Sequence, residues 1–314
     1  MLHLFIQYIS HFITTLQLFF TMSNVDLIIE ERAVSIGTFM VGRLLPFRQK
    51  RMVGPFIYID HMGPVKLSER DNFDVLPHPH IGLSTLTYLF EGSIMHRDSL
   101  GNEVEIKPGA VNWMTAGKGI THSERTPDYL RYSPKNMHGL QIWVALPREL
   151  ELMDPSFSHI DADGLPTWTE GDVTYRLIAG EAMGRKSAVP VYSPLYMIEI
   201  KSTSRQTIDI GSSLYGEAGL YILEGSVESD GNSFHAQQLL VTTQPSLCAF
   251  TMEANTTVYI FGGEPFPEER HIDWNFVAID KALIAVAKER WAALTFPLIP
   301  GDDVEFVPYP VARR

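Results

Sequence analysis

Two short pairs of residues carry the chemistry of this sequence: Pro77-His78-Pro79-His80, and Gly119-Ile120-Thr121-His122-Ser123-Glu124 farther along. Residues i and i+2 of a β-strand point to the same face, so His78 and His80 can aim two imidazoles at one point. The same arithmetic puts His122 and Glu124 on one face. On facing strands the two pairs converge as three imidazoles and one carboxylate. Such a nitrogen and oxygen donor set suits Fe(II), Mn(II), Ni(II) or Cu(II) and leaves positions open for water, dioxygen or substrate. Zinc accepts the same donors, because affinity alone does not discriminate among these ions. Taken singly, a His-x-His is equally at home on a surface strand, and a lone His-x-Glu is a weaker signal still. Both together, inside one β-rich stretch, favour a metal. A rival limb, His96-Arg97-Asp98, offers a His-x-Asp arm of a facial triad. It precedes the turn Ser99-Leu100-Gly101-Asn102, so His96 is expected behind the ligands or at the surface.

The elements that must position these residues are strands. From Val25 to about Leu146, short apolar runs alternate with Gly, Pro and Asp turns: Phe56 to Ile59, Leu83 to Phe90, Val104 to Ile106, Val111 to Met114 and Leu140 to Ala145. Many short strands with frequent turns predict a β-sandwich or barrel. After a polar bridge from Asp154 to Glu170 the pattern recurs, at Tyr175 to Ile178, Leu195 to Ile200, Leu220 to Leu223, Leu239 to Val241 and Val258 to Phe261. Tyr88-Leu89-Phe90-Glu91-Gly92-Ser93-Ile94 matches Tyr221-Ile222-Leu223-Glu224-Gly225-Ser226-Val227 in character, and each copy runs on to a Gly-Asn turn, Gly101-Asn102 and Gly231-Asn232. A shared heptad with a shared turn after it predicts duplication, hence two β-barrels of related build. Trp274 to Leu294 is Ala-rich with few breakers and predicts one amphipathic helix.

The composition narrows the function classes. The 314 residues include 25 Lys and Arg against 37 Asp and Glu, for a net charge of −12. So acidic a surface repels phosphate backbones, which argues against direct nucleic-acid binding. Cys248 is the single cysteine, too few for an internal disulfide or a thiolate cage, whereas there are 11 histidines. Met1 to Thr21 contains no Asp, Glu, Lys or Arg. Its length allows a membrane span, but His3, Gln7, His11, Thr14, Thr15 and Gln17 dilute it, and it lacks the basic start and small-residue cleavage site of a secretory signal. It reads as an over-extended start ahead of Met22, then as an anchor, and last as a signal peptide. Without it there is no membrane association, and the expected location is the cytoplasm.

Four ordered runs resemble the pirin family of bicupins: Gly54 to Pro64 (GPFIYIDHMGP), Pro77 to Gly82 (PHPHIG), Tyr88 to Gly92 (YLFEG) and Asn112 to Glu124 (NWMTAGKGITHSE). Gly139 to Pro147 continues the likeness, and His271 to Val277 is similar to the stretch that opens the family's C-terminal helix. The resemblance covers roughly Val25 to Pro310. It implies an all-β fold of two tandem cupin, jelly-roll-like barrels with a C-terminal α-helix. The metal-binding cupin would span 22–153 and a second cupin without a metal motif 154–314. It also implies one Fe-type ion, Fe(II) foremost with Mn, Ni, Cu or Zn open, held by His78, His80, His122 and Glu124. After Tyr221-Ile222-Leu223 there is no His-x-His, and His235 stands alone there. Ser84 occupies a position where many pirins have Glu, which is expected to alter pocket polarity without touching a ligand.

By the same resemblance the activity would be that of a quercetin 2,3-dioxygenase, acting with dioxygen on a flavonol or other enol. Glu124 would serve as general base toward the substrate hydroxyl. Phe56, Tyr58, Met114 and Trp143 are candidates for a flat aromatic pocket or for plain barrel core. The family equally implies a non-catalytic, iron-dependent, redox-sensing protein that engages a regulatory protein partner, for which an acidic surface is suited. A duplicated barrel supplies its own pairing, so a monomer is expected.

Overall fold

The computed structural model describes residues 25–36, 39–245 and 248–310; the segment Met1 to Thr21 lies outside them. The fold is all-β with a C-terminal helix, and its two halves repeat one plan. In the first half a large antiparallel sheet takes the order Ser156–Ile160, Val111–Thr115, Leu83–Glu91, Lys135–Ala145, Phe56–Leu67, Phe39–Leu45, Arg32–Ile36. In the second the order is Leu27–Glu30, Gln238–Thr242, Glu217–Glu224, Thr256–Gly263, Leu195–Ser202, Val173–Ala182, Thr167–Glu170. Each is partnered by a four-stranded sheet. These run Val75–His80, Ile120–Arg125, Ile94–Asp98, Glu103–Ile106, and Gln206–Asp209, Ala249–Met252, Ser226–Ser229, Asn232–His235.

Strand for strand the orders correspond, and the repeated heptad falls on the equivalent strands Leu83–Glu91 and Glu217–Glu224. Alternation along these strands sends one set of side chains into each barrel and the other set between the barrels. The inter-barrel layer joins Leu86, Tyr88, Trp113 and Ile142 to Met197, Tyr221, Tyr259 and Phe261, all buried. The second barrel is filled by its own apolar cluster, including Ile198, Ile208, Ile222, Phe250 and Met252.

The two ends of the chain cross over. Leu27–Glu30 pairs with Gln238–Thr242 of the second half. The C-terminal segment packs on the first, where Ile81 joins Phe276, Ile284, Trp291 and Phe296 in one cluster. The helix is shorter than Trp274 to Leu294. Residues His271–Asp273 and Phe276–Ala278 form a hairpin, and the helix α1 runs Lys281–Ala292. Asp280 caps its start, its carboxylate accepting from Ala282 N at 2.8 Å, which is the boundary an alanine count does not see. The polar bridge is also partly strand, with Ser156–Ile160 on the first sheet and Thr167–Glu170 on the second.

Candidate metal centre

The strand Val75–His80 lies at the edge of its sheet and, among the described residues, pairs with the one strand Ile120–Arg125. That edge is what allows prolines at 77 and 79, which have no N–H to donate to a second neighbour. His122 sits opposite His78 and Ile120 opposite His80, so the two pairs meet. The register slips between His122 and Glu124, which face His78 and Val75. Gly82, directly after the first pair, has φ +70° and lies where an added Cβ would be 2.0 Å from the Val277 carbonyl oxygen. Only glycine admits the C-terminal hairpin this close to the ligand strand.

His78, His80 and His122 each offer a nitrogen, and the three nitrogens lie within 4.8 Å of one another. All three rings are buried. His78 Nδ1 donates to the Leu76 carbonyl at 2.8 Å and His80 Nδ1 to the Asn275 carbonyl at 3.1 Å. A carbonyl only accepts, so both Nδ1 atoms carry the proton and both Nε2 atoms keep a lone pair. Neither ring nitrogen of His122 has a hydrogen-bond partner among the described residues. A buried imidazole left unpaired is costly unless something else engages it, and a cation held between three lone pairs is that something. Burial pushes His78 down to about 4, and burial with the neighbouring imidazoles holds His80 and His122 well below the usual histidine range. The rings are therefore neutral at pH 7, the form that ligates a metal.

Glu124 lines the same cavity but stands outside the group of three nitrogens. Burial raises its carboxyl above the usual range. Thr87 Oγ1 lies 3.2 Å from Glu124 Oε1 and 3.0 Å from Gln141 Oε1, and has one proton to share between them. His96 is buried and does not join the cluster; its Nε2 donates to Asp98 at 3.0 Å and its ring stacks on Phe157, with its centroid 5.4 Å from that of His122. It stands beside His122 and outside the group of three imidazoles.

The cavity holds about 660 Å³. Tyr58 and Trp143, stacked with centroids 3.9 Å apart, form one wall. Phe56 and Met114 do not line it: Phe56 packs on Phe261 between the barrels, and Met114 sits in a small cluster with Ala116, Ile120 and Phe157. Ser84 points away as well, its hydroxyl 3.0 Å from Thr115 Oγ1, so it does not set pocket polarity. Arg43 makes a two-pronged contact to Asp60 at 2.8 Å on each prong and lies over the Tyr58 ring at 4.4 Å. Desolvation and Asp60 push the Tyr58 phenol far up, so it stays protonated.

Two features escape the local pattern. The opposite wall comes from the far end of the chain, from Trp274, Asn275, Val307 and Pro308. Asp302 ties that end down, accepting from Arg125 at 2.6 and 2.7 Å and from Ser123 at 2.7 Å. Ser123 and Arg125 alternate with His122 and Glu124 on one strand, so the inward face holds the site and the outward face holds the tail. The run His271 to Val277 was the available signal, but nothing in it indicates where it docks.

Residues 38–144 match the Pirin family and residues 196–297 the Pirin C-terminal cupin domain. A pirin-like protein of Caulobacter vibrioides is 47% identical over 289 residues, covering 91% of this chain and 99% of that protein. The crystal structure of a quercetin 2,3-dioxygenase from Acinetobacter baumannii superposes with a TM-score of 0.83 at 34% identity, covering 91% of this chain and 95% of that one. A bacterial pirin from Escherichia coli in complex with nickel(II) shares the fold, with a TM-score of 0.60 at 18% identity over 76% of this chain and 99% of that one. No helix among the described residues is long and apolar enough to cross a membrane. With both cupin halves matched and a full-length relative at 47% identity, the chain belongs to the pirin family.

Proposed function

We propose that this pirin is a metal-dependent dioxygenase of the quercetin 2,3-dioxygenase type, with His78, His80, His122 and Glu124 holding one divalent ion, Fe(II) foremost. The observation that carries the reading is His122, buried with two unpaired nitrogens against two imidazoles whose lone pairs are already oriented. The 34% identical structure of a quercetin 2,3-dioxygenase supports the substrate class. When bound, the ion would supply Lewis acidity toward the substrate's oxygen.

The chain's own residues do the rest. Tyr58 and Trp143 present a flat apolar wall for an aromatic ring. Glu124, bound to the ion or briefly released from it, takes the proton of the substrate hydroxyl, and Thr87 Oγ1 lies 3.2 Å from its carboxylate. Trp274 and Val307 narrow the opening and exclude water. Aerobic incubation of the Fe-loaded protein with quercetin tests the reading: flavonol absorbance falls and dioxygen is consumed. Metal bound at one ion per chain with no loss of absorbance would reject catalysis and leave the redox-sensing, partner-binding protein.

A further inference from the structure

A second polar constellation lies between the barrels, on the other side of the first large sheet from the metal. Glu31, His61, His138 and Tyr221 come from four distant parts of the chain. His61 Nδ1 donates to Glu31 at 2.7 Å, and His61 Nε2 is 2.8 Å from His138 Nε2. The Tyr221 hydroxyl also donates to Glu31 and lies 2.9 Å from His61 Nδ1. In the neutral His61 tautomer that donates Nδ1–H to Glu31, Nε2 is the acceptor. His138 is then the donor in the histidine pair, and its own Nδ1 carries a lone pair. His138 as a whole is 7% exposed, and the contact with His61 uses its Nε2, not its Nδ1.

His138 lines a cleft of about 320 Å³ formed by both barrels, and clefts of this size between domains are where small ligands bind. Burial and the neighbouring His61 push His138 down to about 4, which keeps it a neutral acceptor at pH 7. The facing sheet contributes Arg176 and Lys201, which share the single buried carboxylate of Glu199 at 3.9 and 3.0 Å. Arg176 also donates to Tyr88 at 3.0 Å and Thr167 at 3.2 Å. The lining carries two cations, both gathered on Glu199, and three carboxylates, of which Glu91 and Glu224 stand at the exposed rim. Between these polar ends Phe90 and Tyr259 stack with centroids 5.4 Å apart. The cleft therefore offers a hydroxyl acceptor at one end, aromatic surface in the middle and cations at the other.

We infer that the inter-barrel cleft is a second ligand site, separate from the metal centre, for a small hydroxylated aromatic carboxylate. Its hydroxyl donates to His138 Nδ1, its ring lies on Phe90, and its carboxylate meets Arg176 and Lys201. Glu31 and His61 are positioning residues that hold His138 in the accepting tautomer.

Calorimetric titration of the metal-loaded full chain with 4-hydroxybenzoate tests this, and His122→Ala separates binding in the cleft from coordination of the carboxylate by the metal. Saturable binding at one molecule per chain is expected. Benzoate and phenol, each lacking one handle, should bind roughly tenfold more weakly, the loss expected for one charge-assisted hydrogen bond. Lys201→Met and Arg176→Gln, two residues in contact with solvent, should each weaken 4-hydroxybenzoate by a similar factor, and so should His138→Phe if it folds. His122→Ala should leave binding unchanged. No binding at millimolar ligand, binding indifferent to Lys201→Met and Arg176→Gln, or binding lost in His122→Ala would each overturn the inference. Only the last would implicate the metal centre, so this result and the quercetin assay fail independently.

Discussion

The two barrels share a plan and differ in what the plan encloses. In the first, the four-stranded sheet turns His78 and His80 inward from its edge strand and His122 and Glu124 from the next. In the second, the equivalent strands Gln206–Asp209 and Ala249–Met252 put Ile208 opposite Phe250, with Met252 beside them, all buried in apolar core. A strand pair that faces inward carries either ligands or packing. The first barrel leaves about 660 Å³ in front of its imidazoles, whereas the cavity in the second, lined by Leu220, Phe250 and Ile260, is about 40 Å³. Duplication has thus left one copy free to hold chemistry and the other to hold the fold.

The comparison breaks most sharply at His122. His122→Ala should lower bound metal from about one ion per chain to near zero, because three nitrogens become two. Phe250→Ala at the equivalent strand should leave the metal in place, which elemental analysis of both variants checks. Next in size, Glu124→Gln should keep the fold and much of the metal while slowing quercetin loss by about 10²–10⁴-fold, the usual contribution of a positioned general base. Turnover unchanged from the parent would remove Glu124 from that role.

The stability effect should run the other way. Phe250→Ala opens a cavity in a filled barrel and should cost about 3–5 kcal/mol in chemical denaturation. His122→Ala in metal-free protein removes an unpaired buried imidazole and should cost less. The smallest effect is on pH. His78 has a folded value of about 4 against an ordinary 6.5. The unfolded chain takes its proton first, so stability is fully present above pH 6.5 and falls as the pH drops toward 4. Denaturation of the metal-free protein at pH 7 and pH 5 should show the loss, and His78→Asn should reduce it.

Local order made much of this legible. The i, i+2 spacing of His78 with His80 needs only the strand geometry, and the prolines around it need only an edge. The heptads at Tyr88 and Tyr221 announced two copies of one barrel, and the sheets follow the same strand order in both. The aromatic residues were harder. Tyr58 and Trp143 reach the cavity while Phe56 and Met114 do not, because face assignment depends on which sheet surface is the interior. His80 takes its orientation from the carbonyl of Asn275, 195 residues away, and no spacing rule reaches that far.

From the sequence by itself came the ligand types, their spacing, the duplication and the lack of thiolate or basic alternatives, because these depend on residue identity and a period of two. Only the tertiary structure decided that the C-terminal hairpin and tail close the first barrel's pocket. It alone decided that Glu124 stands beside rather than within the cluster of three imidazoles. It also brought Glu31, His61, His138 and Tyr221 together between the barrels. Those outcomes depend on which surfaces pack against each other, and packing is settled by the whole chain at once.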